Sequence, residues 1–546
     1  MKLKERSGRK LKRCRLKVPV LEEKSQLISL AMKIKWVSKY KAVPQGLLFL
    51  LGCMNRLGAA ALPCQGYFCR QGKNYMSRRK KQVVLEYLLV EDYAAEGKCI
   101  ARTDGKVIFI EGAVPGDVVD VYLRKNKKDW AEGTVQHFHS YSPTRVKPFC
   151  IHFGTCGGCQ WQMLPYEKQL EYKQQQVRDQ LSRIGGVALP TIMPIIGASE
   201  GYTTRYRNKL EFTFANKRYL TKAELGDDSI QSEMPSAGFH ARGVFDKVVN
   251  IIECHLMEPP TNLIRETLRE TAIEMDMPFY DIRQHTGWMR NVVLRICTTG
   301  EIMVNVVLGF EDKAKRKQLL DTLLEKVPAI TSLFYTINAK WNDSLFDQDP
   351  ILYFGKPYAL EKLEDFEFII SPKSFFQTNT RQGEKLYQIT RDFAALTGNE
   401  TVYDLYCGTG SIGIFVSRLA KKVIGVELID EAVQDAKANA SLNKIEHASF
   451  FTVDVIEICN NDFFEQHGRP DVIITDPPRA GMHEKLVQKI LEMEAPLVVY
   501  VSCNPATQAR DLKLLSEKYT VEKIQPVDMF PHTLHIENVV QLKIKT

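Results

Sequence analysis

Residues 401–443 read TVYDLYCGTGSIGIFVSRLAKKVIGVELIDEAVQDAKANASLN, and their pattern decides the fold class. An apolar run stops at a glycine turn, a helical stretch follows, a second apolar run ends on Glu427, and a further helical stretch closes the unit. Strands that alternate with helices in this way specify a parallel sheet covered by helices. Gly408 and Gly410 let the backbone approach a ligand closely, and Glu427, 17 residues after Gly410, can accept hydrogen bonds from ribose hydroxyls. Dinucleotide enzymes share this layout, so the turn alone leaves the cofactor open.

Two later runs extend the same sheet. DVIITDPPRAG (471–481) ends a strand with Asp476, Pro477 and Pro478, and LVVYVSCNP (497–505) ends another with Cys503. A free cysteine is often just a small buried hydrophobe. At the carboxyl end of a parallel strand it faces the crevice where ligands bind, together with Asp404, Glu427 and Asp476.

The chain before this unit has a different character. From Met76 to about residue 142, short alternating runs broken by Gly105, Gly112 and Gly116 describe a small β-barrel of OB type. Lys125, Lys127 and Lys128 beside Trp130 are ingredients of single-strand nucleic-acid binding, though a lysine-rich turn is also an ordinary solvated loop. CIHFGTCGGCQWQ (150–162) then places Cys150, Cys156 and Cys159 at C-x5-C-x2-C, with Cys254 in IIECHLM able to complete a tetrad. Four thiolates suit a [4Fe-4S] cluster or an all-cysteine zinc site; three clustered ligands with one remote favour iron-sulfur over paired zinc hairpins. His152 and His255 are substitute ligands, each beside a cysteine that already fits. Residues 166–184 read as an amphipathic helix rich in Gln and Lys. GYTTRYRNKLEFTF (201–214) puts Arg205, Arg207 and Lys209 on alternate positions of a probable strand, a basic face able to grip phosphates.

Composition bounds the rest. A chain of 546 residues, 44% hydrophobic and 25% charged, is globular and large enough for several domains. Its net charge of +9 fits a polyanionic partner without requiring one. Thirteen cysteines in so long a chain are too sparse for a disulfide framework and point to metal binding or catalysis. No apolar run approaches the roughly 18 residues of a membrane span, so a cytoplasmic protein without a membrane partner is expected. Residues 1–75 carry basic and apolar pieces, Cys14, Cys53, Cys64 and Cys69 without ligand spacing, and no sustained periodicity. They read as a poorly structured extension that is not native to the working protein; a basic RNA-binding arm is the alternative.

Taken together, the DPPR turn, the SCNP turn, the glycine turn and the cysteine cluster resemble the bacterial RNA 5-methyluridine methyltransferases, in particular the iron-sulfur members that methylate 23S ribosomal RNA. The resemblance covers residues 80–546. It implies a TRAM-like barrel over 76–142, a mixed α+β region carrying the cluster and RNA contacts over 143–355, and a Rossmann-like methyltransferase domain dependent on S-adenosylmethionine over 356–546. By the same resemblance Cys150, Cys156, Cys159 and Cys254 hold a [4Fe-4S] cluster. Gln377, Tyr406, Glu427 and Asp476 contact the cofactor, Cys503 is the nucleophile and Glu537 the general base. Residues 1–75 match nothing in the family.

The chemistry explains these residue types. Uracil C5 is too weak a nucleophile to accept a methyl group until a thiolate adds at C6. A lowered pKa is therefore expected for Cys503. A base must then remove the C5 proton; Glu537, raised in a dry pocket, fits, with His532 and His535 as rivals. The target base must be unstacked to be reached. The substrate is expected to be 23S rRNA, with transfer RNA as the alternative, and the enzyme a monomer with no obligate protein partner. A DNA cytosine methyltransferase would carry its thiol where this chain has Asp476, Pro477 and Pro478. A radical enzyme would need C-x3-C-x2-C, and a non-catalytic iron-sulfur RNA-binding factor leaves Cys503 and Glu537 without a purpose.

Overall fold

A computed structural model describes residues 83–546 apart from Lys222, Asp228 and Cys459. The extension expected over residues 1–75, with its four cysteines, lies outside the described residues. Lys81–Thr546 forms one compact unit.

Its first part is a six-stranded sheet of β1 (Val84–Leu89), β2 (Asp92–Tyr93), β3 (Cys99–Thr103), β4 (Lys106–Glu111), β5 (Val118–Asn126) and β6 (Trp130–Ser140), in the order β1-β5-β6-β4-β3-β2. Alternation sends Val119, Val121 and Leu123 of β5 inward to meet Ile108, Ile110 and Cys99. Register shifts between Leu85 and Leu88 and at three places between β5 and β6 bend these strands, as bulges do, and curl the sheet around that core. Trp161, Met163 and Leu164, just past the cysteine-rich segment, fill one end of it. Of the lysines expected beside Trp130, Lys125 is answered by Glu132 at 2.9 Å, while Trp130 packs edge-on against Phe109.

The central part is a seven-stranded sheet: β7 (Lys209–Ala215), β8 (Ser236–His240), β9 (Val248–Asn250), β10 (Met289–Ile296), β11 (Ile302–Leu308), β12 (Ser332–Ile337) and β13 (Ile351–Gly355), ordered β13-β12-β11-β10-β7-β8-β9. Only β11 and β12 pair in parallel. Helices Thr261–Glu274 and Lys313–Lys326 cover the sheet, burying Ile264, Leu268 and Ala272 of one and Leu319, Leu320 and Leu323 of the other.

A hairpin of β14 (Ala359–Leu363) and β15 (Phe366–Ile370) leads into the last sheet. This contains β16 (Thr401–Leu405), β17 (Lys422–Glu427), β18 (Ala448–Thr452), β19 (Val472–Thr475), β20 (Leu497–Ser502), β21 (Tyr519–Val527) and β22 (Glu537–Ile544). The order is β18-β17-β16-β19-β20-β22-β21. The first five strands are mutually parallel, and the central β17, β16, β19 and β20 are buried on both faces, which is why their sequences are largely apolar runs. The chain leaves β16 toward β17 on one side and reaches β19 on the other, so a crevice opens at the carboxyl ends of β16 and β19. The expected α/β class, with a preceding barrel and a mixed central region, is the class observed. Among the described residues no helix is long and apolar enough to cross a membrane.

Candidate active site and cysteine cavity

The crevice is built from strand ends. Past Leu405 the backbone turns sharply: Tyr406 (φ 64°), Gly408 (φ 52°) and Gly410 (φ 76°) all take the left-handed conformation. A Cβ placed on Gly408 would meet no atom within 4 Å, so the turn presents bare backbone to open space. Glu427 ends β17 and turns back on the loop, accepting the N–H groups of Gly408 (3.2 Å), Leu428 (2.7 Å) and Ile429 (3.1 Å). Asn439 ties the turn to β15, donating to Thr409 O and Ile369 O and accepting from Ile369 N. The loop after β15 reaches the same turn, because Thr409 Oγ1 donates to Phe375 O at 3.5 Å. Two residues on, Gln377 is buried, with its carbonyl held by Asn208 Nδ2 at 2.8 Å.

Asp404 is buried one residue inside β16, where Gly413 N donates to Oδ2 at 2.8 Å while Oδ1 lacks a partner. Burial, with Asp476 and Glu427 adding to it, pushes its pKa up to about 7. Asp476, immediately after β19, is pushed up to about 7 by burial. Three acids and one bare glycine turn thus face a single crevice. Its polar groups suit a ligand that carries both hydroxyls and positive charge.

The SCNP turn brings Cys503 to this crevice. Ser502 Oγ accepts from Asn504 N, Asn504 caps the helix Pro505–Leu515 through Ala506 N, and Pro505 stands at the helix start, where its missing N–H costs nothing. Asn504 Nδ2 also donates to Arg479 O, which joins the SCNP and DPPR turns. Glu537 arrives from the far end of the sequence because β22 is antiparallel to β20. Asn538 pairs with Ser502, so the first residue of β22 lies at the edge where β20 ends. Glu537 is 6% exposed, and burial and then Asp476 push its pKa well up, with Arg479 opposing.

The lowered pKa expected for Cys503 is not what this environment produces. Burial first, then Glu537 and Asp476, push the thiol up to about 12, against the opposing pull of Arg479 and a backbone hydrogen bond at Cys503. Two acidic side chains lie near the sulfur, and a further negative charge beside them is disfavoured. The rival bases are also accounted for. Gln169 Nε2 donates to His532 Nδ1 (3.1 Å), and Arg479 Nη2 donates to His535 Nδ1 (3.2 Å), so each ring carries its proton on Nε2. Burial holds both pKa values down at about 4. Sequence reading passed over Arg479 and Phe375. Arg479 follows directly on the DPP turn, a signal that was available; Phe375, 68% exposed beside the glycine turn, looks in sequence like one more core aromatic of the SFFQTN run.

A second feature lies on the central sheet. Cys150, Cys156, Cys159 and Cys254 line one cavity of about 340 Å³, with His152, His255, Arg207, Lys209 and Thr378 also on its wall. Ile252 N donates to His152 Nε2 at 2.9 Å, which commits that ring to holding the Cys254 segment against the Cys150 segment. The basic strand face is corrected in part. β7 starts at Lys209, and Arg205 takes φ 52° and stands outside, 3.9 Å from Glu258. Arg207 and Lys209 alone share the cavity. Among the described residues no three His, Cys, Asp or Glu side chains converge as ligands of one ion. A lone zinc needs four sulfurs about 2.3 Å from one point, whereas four thiols spread around a cavity of this volume fit a group of several atoms.

Residues 359–545 match the tRNA (uracil-5-)-methyltransferase family, and residues 86–135 match the TRAM domain. An uncharacterized RNA methyltransferase of Bacteroides thetaiotaomicron is 51% identical over 455 residues, spanning 83% of this chain and 100% of its own. Another from Porphyromonas gingivalis is 50% identical over 461 residues, 83% of this chain and 98% of its own. Among solved structures, Pyrococcus abyssi tRNA (uracil-54, C5)-methyltransferase in complex with S-adenosyl-L-homocysteine aligns with a TM-score of 0.63 at 27% identity, covering 83% of this chain and 99% of that one. The chain belongs to the tRNA (uracil-5-)-methyltransferase family, and is an RNA methyltransferase with a TRAM domain.

Proposed function

We propose that the protein methylates C5 of a uridine in 23S ribosomal RNA, using S-adenosylmethionine and a transient bond between Cys503 and C6 of the base. The observation that carries this is the meeting of Cys503, Glu537 and Asp476, from three strand ends, at the crevice flanked by the glycine turn and Glu427.

In this reading Gln377, Tyr406, Glu427 and Asp476 hold S-adenosylmethionine, which supplies an electrophilic methyl group and a positive charge to a crevice rich in carboxylates. Cys503 acts as thiolate and adds to C6, which pushes electron density onto C5 and O4 and makes C5 nucleophilic. Phe375 offers an exposed ring on which an unstacked base can rest. Once C5 carries both methyl and hydrogen, Glu537 takes the proton. The C–H electron pair restores the C5–C6 double bond, and the Cys503 sulfur leaves as thiolate. A carboxyl whose pKa is raised by burial is a competent base for this step.

Cys150, Cys156, Cys159 and Cys254 hold a [4Fe-4S] cluster in the same reading, supported by their shared cavity and all-thiol donor set. The cluster is why 23S rRNA is favoured as substrate, through the resemblance to iron-sulfur members. Transfer RNA is the second reading, favoured by the substrate of the P. abyssi neighbour. In this reading the enzyme is a cytoplasmic monomer. Anaerobically purified protein incubated with methyl-labelled S-adenosylmethionine and separately with 23S rRNA and transfer RNA tests this. Label as 5-methyluridine in 23S rRNA alone is expected; label in transfer RNA alone would move the substrate, and label in neither would overturn the function.

A further inference from the structure

Six residues between β21 and β22, Asp528–Thr533, form a strap that leads into Glu537, and nearly every polar group on it is held by another part of the chain. Asp528 Oδ1 accepts from Lys173 Nζ at 2.6 Å, and Oδ2 from Tyr166 OH at 2.8 Å. Gln382 Nε2 donates to Asp528 O, Asn379 Nδ2 to Met529 O, Lys173 Nζ to Phe530 O and Tyr206 OH to Pro531 O, all between 2.8 and 3.1 Å. Gln160 N and Trp161 N donate to His532 O, and Gln169 meets both the backbone N–H and the ring of His532. His532 itself sits at φ 63°, a conformation that a non-glycine residue adopts only when its surroundings impose it.

Tyr166, Gln169 and Lys173 are spaced three and four apart on the helix Tyr166–Gln180, so one face of that helix supplies the grip. The face is polar yet buried: Lys173 and Asp528 are both 0% exposed. A buried ion pair is a poor device for stability, because desolvation offsets its attraction and an apolar pair of similar volume commonly does as well or better. It is a good device for fixing one register of one loop.

We propose that Lys173, with Tyr166 and Gln169, is a positioning residue that sets the reach of Glu537, and so governs proton removal rather than methyl transfer. This rests on the assignment of Glu537 as base. Because Cys503 is carried by β20 and its own cap, and Tyr406 and Glu427 by other loops, loosening the strap from the Tyr166–Gln180 side moves the base while leaving thiol addition and donor binding in place. Gln160 follows Cys159 directly, so the cysteine cavity is also joined to the strap through one peptide.

Four proteins are compared: Lys173→Met, the double variant Lys173→Met/Asp528→Asn, Tyr166→Phe and, as reference, Glu537→Gln. Each is incubated with S-adenosylmethionine and substrate RNA, and covalent protein–RNA adduct is followed on denaturing gels beside turnover, donor affinity and thermal unfolding. Lys173→Met is expected to accumulate adduct and to release product at least tenfold more slowly, with donor affinity within twofold of wild type. The double variant, with no lone buried charge, recovers its unfolding temperature yet still accumulates adduct. Tyr166→Phe accumulates less. A merely structural role would lower unfolding temperature, adduct and turnover together, and the double variant would then turn over like wild type; either result overturns the proposal. If Lys173→Met does not fold, the double variant and Tyr166→Phe decide. Adduct with Glu537→Gln but none with the strap variants refutes this inference alone, whereas no adduct with Glu537→Gln refutes the assignment of the base beneath it.

Discussion

Replacing Glu537 by Gln should make the protein more stable and less active at once, and the two effects have separate origins. The carboxyl is buried beside Asp476, and its pKa is raised above the unfolded value. A raised carboxyl contributes no penalty below its unfolded pKa of about 4.3; as pH rises through and beyond that value the unfolded chain ionises more readily, and stability is lost until the folded group also ionises. Asp404 in the same crevice sets the scale: burial lifts it from 3.8 to about 7, and three pH units at about 1.4 kcal/mol each give about 4 kcal/mol for one buried carboxylate. Gln keeps the shape and carries no charge to desolvate, so it escapes a penalty of the same direction. Denaturant titrations of wild type and Glu537→Gln at pH 4, 6 and 8 are the assay. The variant is expected to match wild type near pH 4 and to exceed it in stability at pH 8. In turnover it should fall by about 10²–10⁴, the usual contribution of a positioned base. A variant that is less stable than wild type at pH 8, or one that turns over normally, would refute the placement of an ionisable base in a dry crevice.

Other expectations follow from single sites. Cys503→Ala should abolish methyl transfer while donor affinity is unchanged, because the residues assigned to the donor lie on other loops; equilibrium dialysis with labelled donor checks this, and retained turnover would remove the covalent route. Since Cys503 is pushed up to about 12, its thiolate fraction grows tenfold per pH unit, so log kcat/KM should climb with a slope near one between pH 6 and 9. A flat profile over that range would show that burial does not govern the thiol. Gly408→Val places a branched side chain at φ 52° in the open space before the turn and should weaken donor binding at least tenfold with a smaller loss in unfolding temperature. Cys254→Ser should lose iron and sulfide together in anaerobically purified protein; zinc in the wild type would place the cavity among structural metal sites.

The parts legible in the sequence were those where burial and chemistry alternate locally. TVYDLYCGTG, DVIITDPP and VVYVSCNP are apolar runs that stop abruptly at glycine, proline and reactive side chains, and each proved to be a central strand with its turn at one edge of the sheet. That Cys150, Cys156 and Cys159 lie close together was legible because they fall within ten residues; that Cys254 lines the same cavity is seen only in the structure. What was hidden depends on partners far apart in the chain. Lys173 and Asp528 are separated by 355 residues, and nothing local marks a lysine of a Gln- and Lys-rich helix as fully buried. The Cys503 pKa was misjudged because burial, and then Glu537 and Asp476 from separate strands, outweigh Arg479, and none of these is local in the sequence. Arg205 broke the basic strand face because its left-handed backbone, held where its N–H donates to His255 O, is set by the central sheet rather than by alternation.

The central claim is a bond between Cys503 and C6 of uracil that persists until a base removes the proton at C5. RNA carrying 5-fluorouridine tests it directly, because fluorine at C5 cannot be abstracted as a proton and the reaction halts after methyl transfer. Wild-type protein incubated with this RNA and S-adenosylmethionine should give a denaturation-resistant complex whose mass equals protein, RNA and one methyl group, with the nucleotide mapped by peptide sequencing to Cys503. Absence of the complex under conditions where ordinary RNA is methylated, or its attachment to Cys407 or another residue, would contradict the account.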